Sequence, residues 1–223
     1  MCGRFTLTED WSQILAYFGI TDSDYAIPPR YNIAPSQRIP AVIADHDNKR
    51  RIGPLSWGLI PQAWKAEHPK VKPINARVEG LQTNGVFKRL VERRRCIIPA
   101  TGYFEWQRNT KQPHYIRVKS RPVFAFAGFY DTWAAASGDK INTCTLITCR
   151  ANIRIKSIHD RMPVILHDKQ DERFWLDRNA TNIDDLLAVL KPYSENDMLL
   201  YPVSKMVGNV HCDTVECVQK IDI

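Results

Sequence analysis

The sequence predicts an α+β fold in which peripheral helices surround a curved or barrel-like, mixed but mainly antiparallel β-sheet. Segments with strand character outnumber helical segments, and the two kinds do not alternate regularly as they would in a doubly wound sheet. The 223-residue chain has no internal repeat, no low-complexity run and no Gly/Ser linker between two halves. We therefore predict a single domain that covers residues 1–223.

The amino-terminal part combines a helix, a loop and a hairpin. The segment TEDWSQILAYFG predicts a helix that Thr8 caps at its start and that ends before Gly19. The apolar residues at helical spacing are Trp11, Ile14, Leu15 and Phe18. The proline-containing residues 20–37 predict an ordered loop, and IPAVIAD and RIGPLSWGLI, on either side of the polar turn HDNK, predict a β-hairpin.

The rest of the chain is richer in strands. The segment GVFKRLVERRR predicts a basic helix with Phe87, Leu90 and Val91 facing inward. Strands are predicted in CIIPATGYFEWQR, PHYIRVKS, PVFAFAGFYDTW, TCTLITC and MPVIL, with a turn at NTKQ. FWLDR and NIDDLLAVLK predict two helices, of which Thr181 or Asn182 caps the second, and MLLYPVS predicts the last strand.

The charge balance points to an anionic partner. The chain has 31 Lys and Arg residues against 24 Asp and Glu residues, a formal net charge of +7. This surplus favours nucleic acid as a partner, although a solubility charge without a target gives the same balance. No stretch approaches the roughly 20 apolar residues of a membrane helix, and the amino terminus lacks a secretory pattern. We therefore expect no membrane partner and a cytoplasmic protein, nucleoid-associated in a bacterium.

The six cysteines are expected to be thiols, because disulfides are rare in a reducing compartment. The pairs Cys144/Cys149 and Cys212/Cys217 have spacings compatible with a metal site. However, residues five apart on a strand point to opposite faces, and free cysteines readily pack inside proteins. We therefore predict neither a metal site nor a cofactor.

Cys2 directly follows the initiator methionine. Removal of Met1 would expose a 1,2-aminothiol, whose amine (pKa about 7.7–8) and thiol (pKa about 8.5) both have accessible nucleophilic forms near neutral pH. Such a pair condenses with an aldehyde, first to a Schiff base and then to a thiazolidine ring. Alternatively, the amine acts as a base to its own thiol, as in N-terminal-nucleophile hydrolases, or the terminus is inert.

Two further segments carry candidate polar groups. In an extended PINARVE, Asn75, Arg77 and Glu79 line one face, where Asn75 offers a donor and an acceptor and Arg77 offers a fork for phosphate. The alternative is an ordinary polar strand edge. In GYFEWQR, Glu105 shares a face with Tyr103, and a solvated carboxylate is the default expectation. Among aromatic residues, however, its pKa could rise enough for acid/base catalysis near neutral pH.

The segment SIHDRMP contains His159 in a dense polar cluster. Histidine is the usual acid/base group near pH 7, although a single histidine is more often structural. Trp57 and Trp64 lie near cationic residues in the sequence and could form a base-stacking surface or belong to the core. The other residues of that stretch are Pro61, Lys65, His68 and Lys70.

Seven blocks of the chain, in order, resemble one protein family. They are MCGRF, YNIAPSQ, WGLIP, INARVE, RCIIPA, GYFEW and IHDRMPVIL, and YPVSKMVGNV near the end also fits. Together they resemble the SRAP family, the SOS-response-associated peptidases or abasic-site-processing proteins, over essentially the whole chain. The resemblance implies the SRAP fold and a DNA-damage function. A protein of this kind recognises abasic sites in single-stranded DNA and crosslinks to them covalently through its amino-terminal cysteine.

The resemblance also implies roles for particular residues of this chain. By position, Cys2 is the nucleophile, Asn75 positions it, and Glu105 and His159 are acid/base groups. The residues implied in DNA binding are Gly3, Arg4, Trp64, Arg77 and Arg161. The loop after WGLIP has only Trp64 where the family often has a tandem aromatic. We expect single-stranded DNA and the replication machinery as partners, and a monomeric protein.

Two rival functions remain open at this point. One is an N-terminal-nucleophile or thiol peptidase that uses Cys2 with His159 and acts on peptides without DNA. The other is a non-catalytic, basic single-strand-binding module in which Cys2 is dispensable. Within the leading hypothesis, β-elimination from the Schiff base would add lyase activity, and the peptidase label would reflect release of the protein's own amino terminus or of a crosslinked peptide by the same cysteine.

Overall fold

The computed structural model describes residues 2–64, 71–135 and 138–222, which form two β-sheets with short helices around them. The strands are β1 (Phe5–Leu7), β2 (Arg30–Ile33), β3 (Arg38–Ala44), β4 (Arg50–Trp57), β5 (Asn75–Arg77), β6 (Arg95–Ala100), β7 (Gly102–Trp106), β8 (Pro113–Val118), β9 (Phe124–Ala134), β10 (Lys140–Arg150), β11 (Arg161–Pro163) and β12 (Met198–Pro202). The α-helices are α1 (Trp11–Phe18), α2 (Gly85–Arg93), α3 (Ile153–Lys156), α4 (Lys169–Leu176) and α5 (Ile183–Ala188).

The first sheet closes into a barrel. Its strands follow the ring β10–β4–β3–β6–β9, and pairing between β9 and β10 completes the ring. β10 also pairs with β5 and β11, and only its contacts with β4 and β5 are parallel among the named strand pairs. The predicted α+β class and barrel-like, mainly antiparallel sheet are therefore confirmed, whereas the single domain over residues 1–223 stays a prediction.

The second sheet has the order β12–β8–β7–β1–β2 and is antiparallel throughout. The predicted strand CIIPATGYFEWQR is in fact two strands, because the chain leaves the barrel after β6 and enters the second sheet as β7. Gly102, the first residue of β7, lets the Tyr115 ring approach the backbone closely, since a Cβ there would lie 2.3 Å from that ring. The Tyr115 hydroxyl in turn lies 2.8 Å from Thr6 Oγ1, which ties β8 to β1.

The two sheets share a core. Phe5 of β1 packs edge-on against Trp57 and Phe126 of the barrel, with ring centroids 5.4 and 6.0 Å apart. All three side chains are fully buried, and large aromatic surfaces of this kind contribute strongly to stability. The core therefore fixes β1, and with it the amino end of the chain, against the barrel.

The helices agree largely with prediction. Gly19 ends α1 in the left-handed conformation (φ 65°), as expected, but Asp10 rather than Thr8 stands at the N-cap. Thr8 instead bonds Thr101 through its backbone N–H and hydroxyl. Asn182 caps α5 by accepting from the Asp184 N–H, which resolves the alternative with Thr181.

Part of the predicted loop over residues 20–37 is a strand. Residues 30–33 form β2, because β1 offers them a partner edge and Asp213 Oδ1 accepts from the backbone N–H groups of Tyr31 and Asn32. These partners are distant in sequence, so no local pattern revealed them.

In the part of the chain that is described, no helix has the length and apolar character needed to cross a lipid bilayer.

Candidate active site

The amino end of the chain runs along β7 towards Glu105. β1 pairs with β7 at Phe5 and Tyr103, and the Phe104 N–H donates to the Arg4 carbonyl at 3.0 Å. Continuing this antiparallel register towards the terminus brings the residues before β1 alongside Glu105. Cys2 lies there with its side chain fully buried.

Asn75 holds Cys2 from the barrel side. It is the first residue of β5, whose parallel pairing with β10 fixes its position, and its Nδ2 donates to the Cys2 carbonyl at 2.9 Å. Its Oδ1 is buried and has no hydrogen-bond partner within the described residues. An unsatisfied buried acceptor beside Cys2 is chemically suited to receive an N–H from an amine at that residue.

Glu105 is buried, with 2% of its surface exposed, which corrects the default expectation of a solvated carboxylate. Burial raises the pKa of Glu105 to about 7, because the charged form loses its hydration. Burial also raises the pKa of the Cys2 thiol, and the negative charge of Glu105 adds to this shift. The expectation that the thiolate is readily accessible near neutral pH is therefore wrong, and the thiol needs a base to lose its proton.

Tyr103 is a neighbour of the site for which the sequence predicted no role. Its hydroxyl is buried without a partner among the described residues, and burial together with Glu105 and Cys2 raises its pKa. Tyr103 precedes Glu105 by two residues on β7, so strand periodicity placed both on one face. That periodicity was the available signal, but it could not show that this face is covered.

His159 lies just after α3, where its backbone N–H donates to the Ile155 carbonyl at 2.9 Å. Its Nδ1 is 3.0 Å from the Arg161 N–H nitrogen and 3.0 Å from Asp160 Oδ1. Burial lowers the pKa of His159, which favours the neutral ring. Asp160 also acts on Glu105 electrostatically and thereby links both acid/base candidates.

Arg161 is engaged within the protein. Its guanidinium forms a two-pronged ion pair with Glu79 at 2.6 and 3.0 Å and donates to the Thr148 carbonyl at 2.6 Å. The Arg161 hydrogen bond is also the main cause of the lowered pKa of Glu79. Its role as a phosphate contact stays a prediction, because phosphate would have to replace Glu79.

A cationic cleft of about 580 Å³ adjoins His159. Arg77, predicted as a DNA contact, is exposed on its wall. Sequence reasoning missed three further cations there, Arg108, Arg150 and Lys156, since they lie on separate elements and only the fold brings them together. The charged residues of the lining are Arg77, Arg108, Arg150, Lys156, His159, Asp160 and Arg161.

Gly3 and Arg4 lie beside Cys2, away from this cleft lining. The Arg4 guanidinium donates to the carbonyl of Gly3 at 2.9 Å and to that of Gly208 at 3.4 Å. Burial lowers the pKa of Arg4, and its side chain is only partly accessible. Both residues stay predicted DNA contacts.

The predicted tryptophan surface is reduced to one residue. Trp57 is fully buried and donates from Nε1 to the Ile74 carbonyl, so it belongs to the core and cannot stack on a base. Trp64 is partly exposed, and Trp133 holds its backbone through a 2.7 Å bond from Nε1 to the Trp64 carbonyl. The predicted cations Lys65, His68 and Lys70 lie outside the described residues.

The six cysteines are free thiols, and the two pairs whose spacing is compatible with a metal site belong to no group of three or more potential ligands within the described residues. Cys144 and Cys149 are both buried on β10. The one grouping of potential ligand atoms found in the described ranges is Asp45, His46 and Asp47, in the hairpin turn. Asp45 there already accepts from the Asp47 and Lys49 N–H groups and from Arg51, as turn residues commonly do.

The chain is an α+β protein in which a barrel joins a second sheet. A buried thiol and a carboxyl group whose pKa is close to 7 lie at the amino end of the chain, and this pair defines a class of proteins that carry out chemistry there. Within that class, the chain belongs to the SRAP family: the family described as SOS response associated peptidase (SRAP) matches residues 1–210. The abasic site processing protein YoqW of Bacillus subtilis is 42% identical over 227 residues, which covers 98% of this chain and 99% of YoqW.

More distant relatives bear similar names. The abasic site processing protein YedK of Escherichia coli is 31% identical over 230 residues, which covers 99% of this chain and 100% of YedK. The abasic site processing protein HMCES of Xenopus tropicalis is 29% identical over 90% of this chain and 68% of its own. A crystal structure of a protein from Bacteroides thetaiotaomicron superposes with a TM-score of 0.89 at 25% identity, covering 99% of this chain and 100% of that one.

Proposed function

We propose that this protein processes abasic sites in single-stranded DNA. Cys2, exposed by removal of Met1, forms a thiazolidine crosslink with the abasic-site aldehyde and so protects the lesion during the response to DNA damage. The names of its relatives support the substrate, since YoqW and YedK are both abasic site processing proteins. The observation that carries the chemistry is the contact of Asn75 with Cys2, beside the buried Glu105.

DNA binding depends on the cationic cleft. Arg77 and Arg150 offer guanidinium groups that pair with phosphate oxygens through parallel hydrogen bonds. Arg108, in contrast, is paired with Asp160 at 2.5 Å and would have to exchange this partner for a phosphate. His159 also lines the cleft, so a backbone held by these cations would present its sugar near the acid/base groups. We further propose that the protein is monomeric and that the replication machinery is a partner, because single-stranded DNA is exposed there.

The abasic sugar is mostly a closed hemiacetal, which must open before it can react. The protonated His159 ring donates a proton to the ring oxygen O4′ and becomes neutral, while the hydroxyl at C1′ loses a proton to water or to a neighbouring carboxylate. The C1′–O4′ bond breaks, and C1′ becomes an aldehyde. Asp160, beside Nδ1, stabilises the positive charge whenever the ring is doubly protonated.

The amine of Cys2 then adds to the aldehyde carbon. Asn75 Oδ1 accepts one N–H of this amine and directs its lone pair at the carbon, and loss of one water leaves a C=N bond. Cys2 Sγ adds to the same carbon as its proton passes to the Glu105 carboxylate. The C=N electron pair returns to nitrogen, which takes that proton back from Glu105 and becomes the N–H of the ring. The product has one new C–N and one new C–S bond, with one water released.

Two side activities follow from the same intermediates. If a C2′ proton leaves the Schiff base before the ring closes, the 3′ phosphate departs with the bond electrons, which is lyase chemistry. The peptidase activity in the family's name would be limited here to release of the protein's own amino terminus. A general thiol peptidase needs a cysteine whose pKa is lowered, because the thiolate is its nucleophile. Burial raises the pKa of the Cys2 thiol instead, which disfavours that function.

The decisive experiment uses a single-stranded oligonucleotide with one abasic site and a denaturing gel. The wild type is expected to give a covalent band without a reductant. Cys2→Ala is expected to give that band only after borohydride, because its amine still forms a Schiff base but no ring can close. Alanine also permits Met1 removal, so intact-mass measurement makes it a matched control.

Two results would overturn the proposal: no covalent band with the wild type, or an undiminished band with Cys2→Ala in the absence of borohydride. An oligonucleotide with a tetrahydrofuran spacer, which has no aldehyde, must give no band. Binding to that spacer without any covalent product from the abasic DNA would indicate the non-catalytic module. Cleavage of peptides with no product on DNA would indicate the hydrolase.

A further inference from the structure

The most exposed large apolar side chain in the described ranges is Ile153, with 77% of its surface accessible. It is the first residue of α3, the short helix between β10 and His159. Single exposed apolar residues are common on protein surfaces and need no special explanation. The surroundings of Ile153 are what distinguish it.

The helix that carries Ile153 is firmly anchored. Asn152 caps it by accepting from the Ile155 N–H at 2.9 Å, and Asn152 Nδ2 donates to the Tyr193 carbonyl at 2.7 Å. Ile155, on the opposite side of the helix, is fully buried. Ile153 is therefore held outward by a rigid support, so little conformational entropy would be lost if a ligand covered it.

The residues around Ile153 are cationic. Arg154 is exposed beside it, and Arg150 and Lys156 on either side line the same cleft as His159. An apolar tip among cations complements a ligand with a negatively charged backbone and flat apolar faces. Single-stranded nucleic acid has both features, whereas a protein partner would have to supply a strongly acidic apolar surface.

An abasic nucleotide has a specific defect that this tip fits. Its missing base leaves the two neighbouring bases each with one unstacked face. We propose that Ile153 packs against the exposed face of a base that flanks the abasic nucleotide, and so helps the protein select sites where a base is missing. This inference rests on the proposed function and adds a specificity-determining residue to it.

A double-mutant cycle tests the contact. Wild type, Ile153→Ser and Ile153→Leu are compared on an abasic oligonucleotide with normal flanking bases and on one whose flanking bases are replaced by spacers. From the burial of one aliphatic side chain, Ile153→Ser is expected to lower crosslinking efficiency about 5-fold on normal flanks and less than about 2-fold on spacers. Ile153→Leu should keep most of the wild-type efficiency.

Ile141→Ser is the matched control, because Ile141 is also exposed on the surface but lies at the other end of β10. It should leave crosslinking unchanged. The inference is overturned if Ile153→Ser equals the wild type on normal flanks, or if its deficit is the same on spacer flanks. Fluorescence anisotropy with a non-reactive central spacer runs the same cycle without covalent chemistry, so a failure of the crosslinking proposal is distinguished from a failure of this one.

Discussion

Glu105 derives its acid/base character from its place in β7, where β8 pairs with it on one side and the amino end of the chain, which continues from β1, lies on the other. A carboxyl group with a pKa of about 7 is present in both protonation states at neutral pH. It can therefore take the proton of the buried Cys2 thiol and return one when the ring reopens.

The rate of crosslinking should consequently depend on the ionisation of Glu105. If the carboxylate is the base, the wild-type rate should rise about tenfold more between pH 6 and pH 8 than the rate of Glu105→Gln, because the ionised fraction grows through pH 7. Both proteins retain the contribution of the amine. Single-turnover gels across this range measure the effect, and identical pH profiles would exclude Glu105 as the base.

The same burial predicts a stability cost above neutral pH. Since the folded-state pKa is raised, the native protein binds more protons than the unfolded chain between about pH 4.5 and 7, so stability falls as the pH rises through that window. At pH 8, Glu105→Gln should be more stable than the wild type by about 2 kcal/mol, and near pH 4 the two should be similar. Urea unfolding measures this, and a variant that is less stable at pH 8 would contradict it.

At the scale of single residues, the sequence allowed the candidate nucleophile and acid/base groups to be predicted, but not the environment of each. Strand periodicity placed Tyr103 and Glu105 on one face, yet β1 and the barrel decide that this face is buried. The engagement of Arg161 by Glu79 was similarly invisible, because a guanidinium beside a catalytic motif suits phosphate and carboxylate equally.

At the scale of elements, the pair Glu79–Arg161 joins the 3₁₀ helix Val78–Gly80, which follows β5, to β11. The Arg161 side chain is 11% exposed, so loss of its partner leaves a largely buried cation without compensation. Because β11 and β5, the strand that directly precedes the 3₁₀ helix, both pair with β10, the contact fixes one wall of the cleft.

Glu79→Gln should therefore lower the free energy of unfolding by about 1 kcal/mol at pH 7, a value reduced for the solvent screening of the half-exposed Glu79. The folded-state pKa of Glu79 is lowered, so its contribution is present above about pH 4.5 and is lost as the pH falls. Urea titrations at pH 7 and pH 3.5 check both points. An equal loss at both pH values would show that packing, and not charge, is responsible.

Elements with a strong local pattern were predictable, such as α2, the hairpin β3–β4 and the long strands β9 and β10. The three-residue strands β1 and β5 were not, because their pairing partners lie far away in the sequence. The break between β6 and β7 had a local sign in Gly102, but its meaning depends on Tyr115 from β8.

For the whole molecule, the net charge of +7 acts through its distribution, since one cleft gathers arginines and a lysine from three parts of the chain. Affinity for single-stranded DNA should fall with salt concentration. Each phosphate contact contributes about −0.7 to the slope of log K against log salt. Arg77→Gln should therefore make that slope shallower by about 0.7.

Arg178→Gln provides the control, because Arg178 is exposed after α4 and does not line the cleft. It should leave the slope unchanged. Fluorescence anisotropy at several salt concentrations gives both values. Equal slopes for wild type and Arg77→Gln would remove Arg77 from the phosphate-binding surface.

β10 pairs with β9, β4, β5 and β11. The barrel strands and the strands that carry Asn75, Arg77 and Arg161 are therefore all hydrogen-bonded to one central strand. In hydrogen-exchange terms, these strands form a single cooperative unit that cannot open by fraying at one end. The amides of Leu146 and Thr148 should exchange only when the whole protein unfolds. The site then stays assembled in the absence of DNA, and no refolding step precedes its reaction with a lesion.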